Sequence, residues 1–193
     1  MSLEVALENY PQKIETKYGL SVTIRPLKLS DCEAFHEFFC AMPPQDLLYI
    51  KHRVTDVNVV KSWCENIDLG RLLPLLAIDG AKIVGVSTLH QTLGGWKRHI
   101  GRVSSHTHPN YRGKGLGYTL TEHIVEIARQ AGLQHLEAEF MGEQEAAIKV
   151  FAHLGFTELL RLEDYVKDMQ AITHDFLVMG MNLITDEEYA GMG

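Results

Sequence analysis

Between His106 and Leu120 the chain reads HTHPNYRGKGLGYTL, with Gly113, Gly115 and Gly117 at alternate positions, Arg112 and Lys114 beside them, and a helical apolar pattern starting at once. Glycine removes the Cβ that would block a close approach and opens backbone conformations closed to other residues. A helix start leaves unpaired N–H groups and the positive end of the helix dipole. A strand that ends in such a turn suits a bound phosphate or pyrophosphate. Gly113, Gly115 and Gly117, with the backbone of Leu116 and the cations Arg112 and Lys114, therefore form a candidate phosphate cradle.

The rest of the composition narrows what surrounds that cradle. A chain of 193 residues, 46% hydrophobic, is read as a single domain over 1–193, with an N-terminal extension at about 1–19. A net charge of −7 argues against a polyanion as main partner, so no nucleic-acid role is expected. No apolar run approaches the roughly 18 residues of a membrane span. The start, MSLEVALENY, lacks a basic region followed by an apolar one. A soluble, cytoplasmic protein is expected. Cys32, Cys40 and Cys64 lie at no metal-ligand spacing and read as reduced, mostly buried thiols; no metal site is predicted.

Along the chain, LSVTIRPLKLS alternates like a strand, Ser30-Asp31 offers a cap, and CEAFHEFFCAM follows as a helix that Pro43-Pro44 stops. DVNVVKSWCENI reads as a second helix capped by Asp56. LLPLLAIDGAKIVGVSTLHQT is two strands joined at Asp79-Gly80, a hairpin dipeptide. A third, more polar strand leads into the glycine turn. Leu116, Leu120, Ile124 and Ile127 then line a helix that Gly132 ends, LQHLEAEFM is a strand, and EQEAAIKVFAHL a helix that Gly155 ends. Two strands, roughly 156–166 and 175–183, complete a mixed α/β layer structure.

Three phosphate-binding patterns separate on spacing. In the P-loop, Lys precedes Ser or Thr, whereas Gly115 follows Lys114; the dinucleotide fingerprint needs a glycine three after the second one, and Gly117 comes too early. What remains is Arg112-x-x-Gly115-x-Gly117. HPNYRGKGLG resembles the signature of the GNAT superfamily of acyl-CoA-dependent N-acetyltransferases. AAIKVFAHLGF is similar to the family's second landmark, a helix ending in Leu-Gly-Phe, and TIRPLKLSD to its first strand and helix entry. The resemblance spans residues 20–184 in element order.

It implies the GNAT acyl-CoA N-acyltransferase fold: a central mixed, mostly antiparallel twisted sheet of about seven strands flanked by about four helices. It implies acetyl-CoA as cosubstrate, its pyrophosphate on the amides of Gly113 to Gly117, and its pantetheine arm paired with the strand end at His106, Thr107 and His108. Gln144 stands where the family has a cofactor-contacting asparagine. Phe151 takes the cofactor-side position at which the family often has a tyrosine that protonates the leaving thiolate. That departure leaves the acid unassigned, with Tyr165 unplaced.

Acetyl transfer needs a neutral amine, a polarised thioester and a proton for the thiolate. Glu137 and Glu139 share one strand face, opposite Leu136, Ala138 and Phe140, and Glu139 is the candidate base. A solvated carboxylate reads equally from the same spacing. His106 and His108 are titratable neighbours of the expected thioester path, read as flanking groups rather than bases. Ser104 and Ser105 are candidates for orienting substrate. The resemblance implies acceptor walls from about 30–70 and 157–182, whose acids Asp31, Glu33, Glu37, Asp46 and Asp164 would suit a cationic amine, though a solvated acidic surface reads equally from the same residues. Trp63, Trp96 and Tyr49 would pack on the acceptor or fill core.

The reading is an acetyl-CoA-dependent N-acetyltransferase acting on a primary amine of a small molecule or peptide by direct transfer, since no cysteine adjoins the motif. A non-catalytic acyl-CoA-binding module and a transferase for a longer acyl-CoA are the alternatives. A homodimer through the edge of the terminal hairpin is compatible with this fold.

Overall fold

A computed structural model describes residues 3–183. In chain order the elements are α1 (Leu3–Leu7), β1 (Gln12–Glu15), β2 (Ser21–Pro26), α2 (Cys32–Cys40), α3 (Pro44–Leu47), α4 (Val57–Glu65), β3 (Leu72–Asp79) and β4 (Lys82–Gln91). There follow β5 (Ile100–Thr107), α5 (Leu116–Gln130), β6 (His135–Met141), α6 (Glu145–His153), β7 (Thr157–Lys167) and β8 (Thr173–Asn182). The strands form one sheet in the order β1-β2-β3-β4-β5-β6-β8-β7, antiparallel except where β5 runs parallel to β6.

This is the expected architecture with eight strands rather than seven and six helices rather than four. The additional strand is β1, within the stretch read as an extension. It pairs with β2 through Ile14 opposite Val22, and α1 before it buries Ala6 in the main core. Its pattern QKIE carries one apolar residue, too few to show a strand period. The two further helices, α1 and α3, are about one turn long, too short to show a helical one.

Strand alternation divides the sheet into two faces. Ile24, Leu73, Leu75, Leu89, Val103, Leu136 and Ala138 face one way, onto Leu116, Leu120, Ile124 and Ile127 of α5 and Phe151 of α6. Leu76 and Val86 face the other way, onto Phe35, Phe38 and Phe39 of α2 and Val60 and Cys64 of α4. Gly85 and Gly101 let the first layer close down: a Cβ at Gly85 would stand 2.8 Å from Leu120, and one at Gly101 2.8 Å from Leu133 and Leu89.

Helix boundaries follow the turn chemistry, with one exception. Asp56 caps α4 by accepting the Asn58 N–H at 2.9 Å, Gly80 turns the β3–β4 hairpin at φ +60°, and Gly132 follows α5 at φ +83°. Asp31, expected to cap α2, makes no side-chain bond to that helix. Arg25 takes its carboxylate in a bidentate pair at 2.6 and 2.7 Å, and the Lys28 N–H donates to it. Of the cysteines only Cys64 is buried, its thiol pushed up to about 12 chiefly by burial; Cys32 is half-buried and Cys40 exposed, because Cys40 sits at the solvent end of α2. Among the described residues no helix is long and apolar enough to cross a membrane, and no cluster of three or more His, Cys, Asp or Glu could hold a metal.

Candidate active site

The sheet opens where the glycine turn begins. β5 and β6 pair only at Ile100 with His135, Gly101 with Leu136 and Arg102 with Glu137, then part. Beyond Arg102, β5 continues to Thr107 paired on its β4 side alone, up to Gly85 opposite Thr107. Its backbone groups toward β6 face a gap.

At the far end of β5 the chain turns at His108, whose Nδ1 accepts the Asn110 N–H at 3.2 Å. Gly113 and Gly115 follow with φ +72° and +76°, and Gly115 caps α5 from the left-handed region. Among the described residues, no acceptor takes the N–H groups of Gly113 through Gly117. Apart from its chain neighbours Arg112 and Lys114, no described residue comes within 4 Å of a Cβ built on Gly113. Open space, unpaired amides and a helix start together fit a pyrophosphate.

The two cations of the turn do not both point into it. Arg112 is tied to the carboxylate of Asp46 on α3, and its Nε donates to the Thr107 carbonyl at 3.3 Å. Its side chain braces the strand end, engaged by Asp46 and the Thr107 carbonyl. Lys114 lies over the Tyr111 ring, 5.1 Å from the centroid, and its carbonyl accepts the Thr16 hydroxyl at 2.7 Å. Tyr18, 65% exposed, stands over Gly115, 3.1 Å from where a Cβ would be. The hairpin between β1 and β2 thus supports the glycine turn. Sequence reasoning missed Thr16 and Tyr18, which lie about one hundred residues from the turn.

A cavity of about 440 Å³ lies between the sheet and α2, α4 and residues 49–52, and reaches the gap between β5 and β6. Its floor is the sheet face carrying Thr88, His90, Arg102, Ser104, His106 and Glu139. Phe35, Phe39, Tyr49 and Trp63 form an aromatic wall, with His52 edge-on to Trp63 at 5.4 Å. At the gap itself stand Ser105, Phe140, Gln144 and Ala147.

Glu139 is thus in the cavity, but not as a free base. Lys51 and Arg102 both pair with it, the latter at 3.3 Å. Burial would raise its pKa, but these two cations outweigh that and hold it below the usual carboxylate range. Two cations around one carboxylate leave one positive charge at this point of the floor, while Asp68, elsewhere in the lining, pairs with Arg71. Burial pushes His90 and His106 down to about 4, with Arg102 and Lys51 adding to the effect at His90, so both rings are neutral at pH 7. His106 packs against Phe39, whereas His108 begins the turn, so the two histidines do not act together.

Several expected positions fall elsewhere. Phe151 is 1% exposed, wedged edge-on between Phe140 and Phe156 at 5.0 Å from each, and does not line the cavity. Such a ring offers no surface to a cofactor. Gln144 does line the cavity, and its Oε1 accepts the Met141 N–H at 2.8 Å. The terminal hairpin contributes none of the described lining residues, and Asp31, Glu33, Glu37, Asp46 and Asp164 are absent from the lining as well. Trp96 is 87% exposed on the β4–β5 connection, away from the cavity. Tyr165 is likewise exposed, leaning on Phe176. Lys51 was not singled out because nothing local marks it.

A sheet that parts beside an anion cradle and opens on an adjoining cavity is the layout of an acyl-CoA-dependent transferase. The profile of the Acetyltransferase (GNAT) family matches residues 34–156, and the chain belongs to that family. The family's cosubstrate is acetyl-CoA. The chain is similar to the L-methionine sulfoximine/L-methionine sulfone acetyltransferase of Salmonella typhimurium, 27% identical over 70% of this chain and 80% of that one. It is also similar to the L-amino acid N-acyltransferase MnaT of Escherichia coli, 25% identical over 70% and 79%. Among solved structures, the Salmonella typhimurium acetyltransferase yncA with acetyl-CoA superposes with a TM-score of 0.73 over 85% of this chain and 95% of that one, at 23% identity. The ribosomal-protein-S5-alanine acetyltransferase of Vibrio fischeri superposes with 0.74 over 89% and 96%, at 18% identity.

Proposed function

We propose that the protein, acting as a single domain, transfers an acetyl group from acetyl-CoA to the α-amine of a small amino acid with an apolar side chain, directly and without an acyl-enzyme. The observation that carries this reading is the gap between β5 and β6, which joins the glycine turn at one end to the charged and aromatic chamber at the other. Acetyl-CoA supplies an activated acetyl thioester. The amides of Gly113 to Gly117 would hold the pyrophosphate, and the unpaired edge of β5 beyond Arg102, through His106 and Thr107, would pair with the pantetheine arm. Gln144 and Ala147 flank that arm from α6.

In the chamber, Arg102 and Lys51 would attract the acceptor carboxylate, their partner Glu139 neutralising only one of the two charges. Phe35, Phe39 and Trp63 offer an apolar surface to the side chain. The curated relatives that act on L-methionine derivatives and L-amino acids support this acceptor class. The reacting amine must lose a proton, and since Glu139 and His90 are both held below their ordinary pKa and are poor acceptors, solvent at the cavity mouth takes it. No cysteine lines the cavity, which favours direct transfer.

Calorimetry with acetyl-CoA, CoA and ATP, followed by acetylation of free amino acids and of the same amino acids as amides, tests the reading. Binding of both CoA species but not ATP, with free acids preferred, is expected. Equal turnover of amides, or preference for polyamines, would remove the carboxylate assignment. No CoA binding would remove the whole reading.

A further inference from the structure

Two buried side-chain atoms lack a hydrogen-bond partner among the described residues, Gln91 Nε2 and Ser105 Oγ. They differ in place. Gln91 ends β4 opposite Gly101, where β5 and β6 still pair, whereas Ser105 lies past the point of divergence and lines the cavity at the gap. A buried hydroxyl without a partner lowers the stability of the fold. A neighbouring side chain could have relieved that cost, and none does.

Alternation fixes which way Ser105 faces. Gly101 and Val103 are directed at α5, and Thr107 meets Gly117 on the same side, its Oγ1 3.2 Å from a Cβ built there. Ser105 shares that face, toward the layer of α5 and α6. Ala147 lines the gap from α6, and Phe151, one turn further on the same helix face, fills the adjoining space with a ring that carries no hydroxyl. Gln144, the other polar group at the gap, is held through its Oε1 by the Met141 N–H, whereas Tyr49, Thr88, Ser104, His90 and His106 belong to the chamber side of the sheet. Tyr49 also holds its proton firmly, its pKa raised by burial and by Glu143, Asp46 and Asp168.

We propose that the Ser105 hydroxyl is the hydrogen-bond donor to the sulfur of CoA at the gap between β5 and β6. The inference rests on the functional reading above, which places the thioester there. A sulfur taking on negative charge as its acyl bond breaks has no backbone partner of its own, since amides of the strand edge are aimed in the plane of the sheet. A hydroxyl standing out of that plane supplies the missing donor, and a donor set in advance is worth most where charge develops. Ser105 transfers no proton: Oγ–H donates, the sulfur accepts, and a departing thiolate is later protonated by solvent.

The test is binding of CoA and of desulfo-CoA, which lacks the sulfur, to wild type, Ser105→Ala and Ser105→Thr at pH 7 and pH 9, a range across which a thiol ionises at about 8.5. In wild type the preference for CoA over desulfo-CoA should grow by about tenfold from pH 7 to pH 9, as for a hydrogen bond to a charged group. Ser105→Ala should show a flat ratio, Ser105→Thr should restore the growth, and the melting temperature of free Ser105→Ala should be no lower than wild type. An equal ratio in wild type and Ser105→Ala, or a lowered melting temperature of the free alanine variant, would overturn the role of Ser105. Failure of wild type to bind either ligand would instead overturn the functional reading, and this inference with it.

Discussion

Thr16 donates its hydroxyl to the carbonyl of Lys114 at 2.7 Å, joining the β1–β2 hairpin to the turn that opens α5. The same Thr16 hydroxyl accepts the Leu20 N–H at 3.3 Å, and the residue is buried, so one side chain fixes the hairpin and the glycine turn together. Thr16→Val keeps the shape and removes both bonds. It should lower stability by about 1 kcal/mol and weaken CoA binding by roughly fivefold. Thermal melts and calorimetry would check this; lowered stability with unchanged affinity would mean that the hairpin holds the fold and not the turn.

Gly115 is left-handed at φ +76° and lies under the Tyr18 ring. A side chain there is strained by about 1–2 kcal/mol, and a carboxylate would occupy the anion space. Gly115→Glu should stay folded and lose CoA binding by about 100-fold or more, given repulsion in place of charge-assisted bonds. Gly132→Ala, at φ +83° with nothing near its Cβ and at the far end of α5, is the control and should lose only the strain. Wild-type affinity in Gly115→Glu would put the phosphates elsewhere.

Glu139 sits between Lys51 and Arg102, and its lowered pKa makes it a poor proton acceptor. Its stabilisation is present above the ordinary carboxylate pKa and is lost as pH falls through the depressed folded value. Glu139→Gln should therefore cost stability at neutral pH and approach wild type in acid. Its kcat should remain within about tenfold, while the acceptor KM shifts as the two cations lose their partner. A fall in kcat of about 10²–10⁴, with loss of the alkaline-rising rate, would make Glu139 the base after all.

What the sequence made legible was local. The glycine turn, the Asp79-Gly80 hairpin, the Asp56 cap and the Gly132 stop each depend on residues within a few positions, and each is found where expected. What it hid depends on partners distant in the chain. Asp31 carries a cap signal, but Arg25 claims its carboxylate. Arg112 has the charge for a phosphate, and Asp46 on α3 pairs with it. Phe151 has the motif position of a cofactor neighbour, but Phe140 and Phe156 enclose it. The pairing of Lys51 with Glu139 joins positions 88 apart, and no local pattern could announce it.

His174 at the start of β8 bridges two carboxylates, Nδ1 to Glu143 at 2.8 Å and Nε2 to Asp168 at 2.9 Å. Asp168 also accepts the N–H groups of Gln170 and Ile172, so the imidazole links the tip of the β7–β8 hairpin to the loop that precedes Gln144 and α6. The hydrogen bonds that His174 donates to Glu143 and then Asp168 raise the histidine pKa, and the same bonds lower both acids. For His174 the stabilisation is full below its unfolded pKa of about 6.5 and is lost as pH rises through the higher folded value. The acids contribute above their ordinary values near 4 and lose that contribution as pH falls through the depressed ones. The link is strongest between these limits. The melting temperature of His174→Gln should fall furthest below wild type between about pH 5 and 6.5, and converge with it at alkaline pH. A difference that stays constant from pH 5 to 9 would mean that the ring acts by packing and not by charge.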